Sequence, residues 1–340
     1  MTTRDSVPAS SRRSFLKQGA TAAAASAATL AMPNVVRAQE AVVFKFQSTW
    51  PAKDIFHEYA QDFVNRVNDM GGGRLKIELL AAGAVAKALE VQEPLWEPGT
   101  RAAYHVHNQG FLLGEIMRRV TGKTVGPFLR EHVTGPLGAE YYIGGMDTEE
   151  QSHVAEVLPN TKARLFAAKD TEMPEKPTTR EGWQDGAVLR KFAFLQNPNE
   201  PWHTTMNSST WRTCEIASGS GHGNARGVAR VYGAATGSVD GISLLSKQAL
   251  ENIIEEQHNQ IELLQDRPYH QALGVLLNTP EAVYMGPNMR SFGHHGLGGS
   301  IGFGDPDAKL GFSYCCNQMH AVGDNGPRAR RLIDAVYSVM

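Results

Sequence analysis

The stretch Phe292-Gly293-His294-His295-Gly296-Leu297-Gly298-Gly299-Ser300 runs into Ile301-Gly302-Phe303, and Leu310-Gly311-Phe312-Ser313-Tyr314-Cys315-Cys316 follows shortly after. Residues 300–303 and 310–316 flank Gly304-Asp305-Pro306-Asp307, whose turn residues predict an antiparallel hairpin. Downstream, 324–327 opens a last helix bearing Ala329, Leu332, Ile333 and Val336 on one face. Upstream, Gly221-His222-Gly223-Asn224 leads into a helix in which Ala225, Val228, Ala229 and Tyr232 share a face, with Asn224 as its N-cap. Further upstream, Phe111, Leu112, Ile116, Met117 and Val120 recur at helical spacing until Gly122 ends the run. A second helix carries Val125, Phe128, Leu129 and Val133. Residues 145–200 are polar, contain Met173-Pro174 and Lys176-Pro177 and show little periodicity; they read as a loop-rich excursion placed to shape a substrate mouth. Antiparallel strands among helices point to an α+β fold.

The beginning of the chain is unlike the rest. Ser11-Arg12-Arg13-Ser14-Phe15-Leu16-Lys17 sets paired arginines before a weakly apolar, alanine-rich stretch, and Val36-Arg37-Ala38 supplies a small-residue cleavage site. Residues 1–38 therefore read as a twin-arginine signal peptide, so the mature chain is expected to start at Gln39 and to be periplasmic or otherwise extracytoplasmic. In 39–92, Val42, Phe44 and Phe46 alternate with Val43 and Lys45, which predicts a strand. Ile55, Tyr59, Phe63 and Val67 lie four apart on a helix that Gly71-Gly72-Gly73 stops. Leu75, Ile77 and Leu79 alternate as a second strand. One strand-helix-strand unit leaves much of its apolar surface uncovered. Glu93-Pro94-Leu95-Trp96-Glu97-Pro98-Gly99 then breaks the helical reading of 87–92, and the junction is placed near residue 92.

Bulk properties narrow the function. A formal charge of -2 in 340 residues gives no basic field for nucleic acid or an anionic membrane surface. Outside the signal no apolar run is long enough to span a bilayer, so no membrane span is expected in the mature chain. Three cysteines, Cys214, Cys315 and Cys316, cannot all pair, and no disulfide framework is read. The oligomeric state is not written in the sequence.

Two family resemblances follow. Phe46-Gln47-Ser48-Thr49-Trp50-Pro51, the helix behind it and Gly73-Arg74-Leu75-Lys76-Ile77-Glu78 resemble the start of periplasmic solute-binding proteins of TRAP transporters, over residues 1–91. That resemblance implies a receptor for organic acids. Glu97-Pro98-Gly99-Thr100, Tyr104-His105, Gly135-Pro136-Leu137-Gly138, Gly221-His222-Gly223 and the 292–300 stretch resemble the β-lactamase-related serine hydrolases, closest to the esterase-like members, over residues 93–340. This implies a β-lactamase/transpeptidase-like antiparallel sheet flanked by helices, acting on a small ester or amide through an acyl-serine without a cofactor.

The resemblance brings three motifs. In Ser-x-x-Lys, one helical turn sets the lysine amine beside the serine hydroxyl. The only such run here is Ser14-Phe15-Leu16-Lys17, inside the signal. The nucleophile motif is therefore absent from the mature chain, the domain reads as N-terminally truncated, and its core is expected to be holed and exposed. Ser209 and Ser300 are the alternatives for the missing hydroxyl. Tyr104 fits the proton-relaying tyrosine, with Val106 where a β-lactamase has asparagine. His294-His295-Gly296 matches a His-x-Gly variant of Lys-Thr-Gly, where glycine lets backbone approach the substrate and an N–H joins the oxyanion hole. His105, Gly298 and Gly299 are assigned to substrate contact. A metal is not expected, because no Glu or Cys accompanies the paired histidines at ligand spacing and neighbouring strand side chains diverge. A fusion made by deletion or misjoining accounts for both broken resemblances.

Overall fold

The computed structural model describes residues 42–47, 55–80, 83–104, 107–158, 175–194, 202–264, 266–320 and 325–340. The chain separates into two compact units, Met1–Ala82 and Gly83–Met340. The twin-arginine segment lies outside the described residues, as do His105 and Val106.

In the first unit β1 (Val42–Gln47) pairs in parallel with β2 (Leu75–Leu80), Val42 opposite Leu75, across helix α1 (Ile55–Gly71). The Asn68 side chain grips β2 at Ile77, its Oδ1 accepting from the Ile77 N–H at 2.6 Å and its Nδ2 donating to the Ile77 carbonyl at 2.9 Å. Only Val64 of the described α1 side chains is buried, while Val42, Phe44, Tyr59 and Phe63 are exposed.

The second unit starts with α2 (Ala84–Glu90), then α3 (Asn108–Thr121), which Gly122 ends at a φ of 72°. The sequence reading put α2 ahead of the junction; here Glu90 pairs with Arg119 of α3 within one unit. A short α4 (Val125–Leu129) and strand β3 (Tyr141–Ile143) lead to α5 (Thr148–Ser152), capped by reciprocal bonds between Asp147 and Glu150. Among the described residues of the loop-rich excursion, α6 (Gly186–Phe194) is a helix that the sequence reading did not predict. Asp185 starts that helix, its Oδ1 accepting from the Ala187 N–H at 2.8 Å. Next come α7 (Trp202–Asn207), α8 (Ser209–Thr213) and β4 (Gly221–Gly223), which pairs antiparallel with β3. Helix α9 (Ala225–Thr236) is capped by Asn224, whose side chain accepts from the Gly227 N–H. Helix α10 (Lys247–Ile253) precedes the sheet.

That sheet has six antiparallel strands in the order β10-β9-β8-β7-β6-β5. They are β5 (His258–Glu262), β6 (Arg267–Gln271), β7 (Leu276–Leu277), β8 (Phe292–His295), β9 (Ile301–Asp305) and β10 (Leu310–Tyr314). Helix α11 (Gly326–Tyr337) closes the chain. Strand alternation divides the layers. Ile301 and Phe303 pack with Ala329 and Ile333 of α11 on one face. Phe292 and Leu277 pack with Leu250 of α10 and Tyr232 of α9 on the other. Helix α9 meets the sheet so closely that glycine is required: a Cβ at Gly311 would lie 2.3 Å from the Ala229 carbonyl oxygen.

Around the sheet the core is closed. Phe303, Met285, Ala329 and Ile333 are fully buried. The reason lies in the contacts: residues 269–333, with α9 and α10 behind them, supply both layers from one contiguous segment. Apolar side chains are exposed on α3, at Leu112, Leu113, Ile116 and Val120, and also at Ile261, Leu273 and Leu297. Asp305 ties the hairpin to its surroundings. Its carboxylate accepts from the N–H groups of Asp307 and Ala308, from Asn288 Nδ2 and from the Tyr337 hydroxyl.

Candidate active site

Tyr104 is carried by an extended strap held against the β5–β6 turn. The Leu263 N–H donates to the Ala102 carbonyl at 3.0 Å. Glu262, fully buried at the end of β5, accepts from the Tyr104 N–H at 3.0 Å and the Leu264 N–H at 2.9 Å through the same oxygen, Oε2. The phenol ring then stands edge-on to Tyr269, with centroids 5.8 Å apart, and lies 6.1 Å from the imidazole of His294. Two elements 190 residues apart in sequence are thus brought together, as the motif reading requires. Burial raises the Tyr104 pKa, and the Arg267 guanidinium partly offsets this.

His294 and His295 end β8, opposite Gly302 and Ile301 of β9. Gly293 precedes them where a Cβ would fall 2.2 Å from the Gly302 carbonyl oxygen, so only glycine lets the two strands close here. The expectation that neighbouring histidines diverge is corrected: their rings stack, 5.3 Å between centroids and 5° between planes. The strand ends at His295, which frees the side chains from strict alternation, and His294 Nδ1 lies 2.6 Å from the His295 carbonyl oxygen. Arg267 Nη2 reaches His295 Nε2 at 3.0 Å. Burial lowers the His294 pKa, opposed by that backbone hydrogen bond and assisted by Arg267.

Gly296, Gly298 and Gly299 form the turn into β9. The Gly296 N–H donates to the Ser300 carbonyl at 2.6 Å, and Gly298 and Gly299 have φ of 93° and 105°, which L side chains rarely adopt. The Gly298 carbonyl accepts from the His320 N–H at 2.7 Å, which fastens this turn to the segment after β10. Ser300 Oγ accepts from the Cys316 N–H at 3.1 Å and lies 3.5 Å from Cys316 Sγ. Ser209 is exposed in the first turn of α8. All three cysteines are free thiols.

Glu262, Arg267 and Tyr269 join the site although the motif reading did not name them. The available signal was Glu262 and Arg267 bracketing a short turn, cross-strand partners in β5 and β6. Among the described residues no group of three or more His, Cys, Asp or Glu could hold a metal ion, and no helix is long and apolar enough to cross a membrane. Two open cavities of about 430 and 410 Å³ lie elsewhere, beside Glu251 and Arg290 and beside Arg226 and Lys309; neither is lined by Tyr104 or His294.

Comparison with known proteins identifies the family. The model of the family described as Beta-lactamase matches residues 55–337, a span that takes in α1 and β2 as well as the second unit. An esterase/beta-lactamase, LipL, of Mycobacterium tuberculosis (strain ATCC 25618 / H37Rv) is 28% identical over 222 residues, which are 64% of this chain and 49% of the relative. The chain thus spans about half the length of the curated relative that it matches. Among solved structures, a family VIII carboxylesterase is 32% identical with a TM-score of 0.63, covering 76% of this chain and 63% of that one. A penicillin-binding protein homolog from Caulobacter crescentus is 30% identical with a TM-score of 0.62, covering 76% and 64%. This chain belongs to the beta-lactamase family of serine hydrolases.

Proposed function

We propose that this chain is an exported, esterase-like member of its family that keeps the relay tyrosine and the third motif but has lost acyl transfer. The observation that carries the reading is the placement of Tyr104 beside His294 with no Ser-x-x-Lys in the mature sequence to supply the attacking oxygen. Acyl transfer needs a hydroxyl, a base that takes its proton and donors for the oxyanion. Tyr104, His294 and the 296–300 turn stand for the last two. Ser300 has a thiol and a backbone N–H as its neighbours, where a nucleophile needs a base. Small esters or amides remain the substrate class to which such a site belongs, and the paired arginines ahead of the alanine-rich stretch support work outside the cytoplasm.

The test is release of p-nitrophenol from short-chain p-nitrophenyl esters by the mature chain beside Tyr104→Phe and His294→Gln. The three rates are expected to coincide. A wild-type rate that Tyr104→Phe lowers a hundredfold or more would overturn the reading, since removal of a working general acid or base costs about 10²–10⁴.

A second reading, receptor for an organic acid, draws on β1 and β2, whose parallel pairing across α1 is the strand-helix-strand unit of its resemblance. A thermal shift of the mature chain with small carboxylates supports it; unchanged melting across the series removes it.

A further inference from the structure

Which atom of the paired histidines is left to handle a proton follows from donor and acceptor rules. A guanidinium only donates, so the 3.0 Å contact from Arg267 Nη2 makes His295 Nε2 an acceptor. The proton of His295 then sits on Nδ1, and the ring is neutral, since an imidazolium has no lone pair to offer. A carbonyl oxygen only accepts, so the 2.6 Å contact at the His295 carbonyl puts a proton on His294 Nδ1. In the neutral ring the lone pair of His294 is on Nε2. Stacking of the two planes at 5.3 Å makes a second positive ring costly, which binds the two protonation states together.

Arg267 is itself placed by the sheet. It is the cross-strand partner of Glu262, the buried carboxylate that holds the Tyr104 strap. One hairpin therefore positions the phenol through Glu262 and the imidazole pair through Arg267. Among the described residues, the charged and titratable groups that face His294 are Tyr104 on the strap, His295 on β8 and Arg267 on β6, with Glu262 and Tyr269 behind Tyr104.

We propose that Arg267 is the positioning residue of this site: it locks His295 as the neutral Nδ1–H tautomer, while the His295 carbonyl holds the proton of His294 on Nδ1 and leaves His294 Nε2 as the proton acceptor beside Tyr104. The third motif then offers a neutral base in the position of the lysine of Lys-Thr-Gly, and the permanent positive charge is supplied from β6. This rests on reading His294 as the third-motif residue, but it concerns protonation states and not turnover.

Long-range ¹H–¹⁵N correlation of the histidine rings in the full mature chain tests it, with His294→Gln and His295→Gln providing assignments. The wild type is expected to show His295 as Nδ1–H only and His294 with an unprotonated Nε2 at pH 7. In Arg267→Met the His295 signal should become a tautomer mixture that titrates, and the His294 midpoint should move upward; Arg267→Lys, still a donor, should restore the single tautomer. Finding His295 as an imidazolium or as Nε2–H in the wild type overturns the proposal even if Arg267→Met does not fold. An unchanged His295 spectrum in a folded Arg267→Met chain does so too. Ester turnover, measured separately, would count against the inactive reading while leaving these spectra as they are.

Discussion

Replacing Glu262 by alanine removes one oxygen that accepts two backbone hydrogen bonds, from Tyr104 at 3.0 Å and Leu264 at 2.9 Å, in a residue with no exposed surface. Leaving a buried N–H without its acceptor costs about 1–3 kcal/mol, so the pair amounts to about 2–6 kcal/mol. Stability of a domain is about 5–15 kcal/mol, which makes this a large fraction of the whole. Urea unfolding of the mature chain measures the global part, read as a lower midpoint at unchanged slope. Amide exchange at Tyr104 and Leu264 measures the local part, since each ~1.4 kcal/mol lost speeds exchange about tenfold where opening is local. The Glu262→Gln variant keeps an acceptor but loses the charge that strengthens both bonds, and it should fall between wild type and alanine. An alanine variant within about 0.5 kcal/mol of wild type, with Tyr104 exchange unaltered, would show that the strap is held by other contacts.

Gly311→Ala sets a methyl 2.3 Å from the Ala229 carbonyl and should lower the melting temperature through about 1–3 kcal/mol of overpacking; an unchanged melt refutes the close approach of α9 and β10. Asp305→Ala should destabilise by several kcal/mol, because it strips the acceptor from Asp307, Ala308, Asn288 and Tyr337; urea titration reads this, and a loss within about 0.5 kcal/mol contradicts it. The Arg118 and Arg119 side chains hold Glu115 at about 2, below its ordinary value. A depressed carboxylate adds stability above its unfolded pKa and loses it as pH falls through the folded one, so wild type should exceed Glu115→Gln at pH 6 and converge with it towards pH 2, less so in high salt because the arginines are exposed. Curves that stay parallel down to pH 2 would remove that linkage.

Much of the second unit is legible in residues alone. Asn224 before a run with Ala225, Val228 and Tyr232 on one face identifies α9 and its cap, and Gly122 marks the end of α3. The Gly-Asp-Pro-Asp turn identifies the β9–β10 hairpin, in which a buried Asp305 organises the loop. These signals are local, so they survive without tertiary context. Helix α6 was hidden because only Asp185 and a nine-residue stretch announce it within polar surroundings. The closed core was hidden for a different reason: whether Phe303 and Ile333 are buried depends on strand pairing, not on their immediate neighbours. Tyr104 and His294 are candidates named through the family resemblance. Glu262 and Arg267 are not, because a charge pair across a hairpin reads as solvated surface until the Tyr104 strap is laid over it. The stacking of His294 on His295 likewise depends on β8 ending where it does.

The reading proposed for this chain is that it has lost acyl transfer. Intact-mass measurement after incubation with a fluorophosphonate in excess tests it most directly. The account predicts the mass of the unmodified mature chain. A stoichiometric single adduct, mapped by peptide analysis to Ser300, Ser209 or any other hydroxyl, would contradict it.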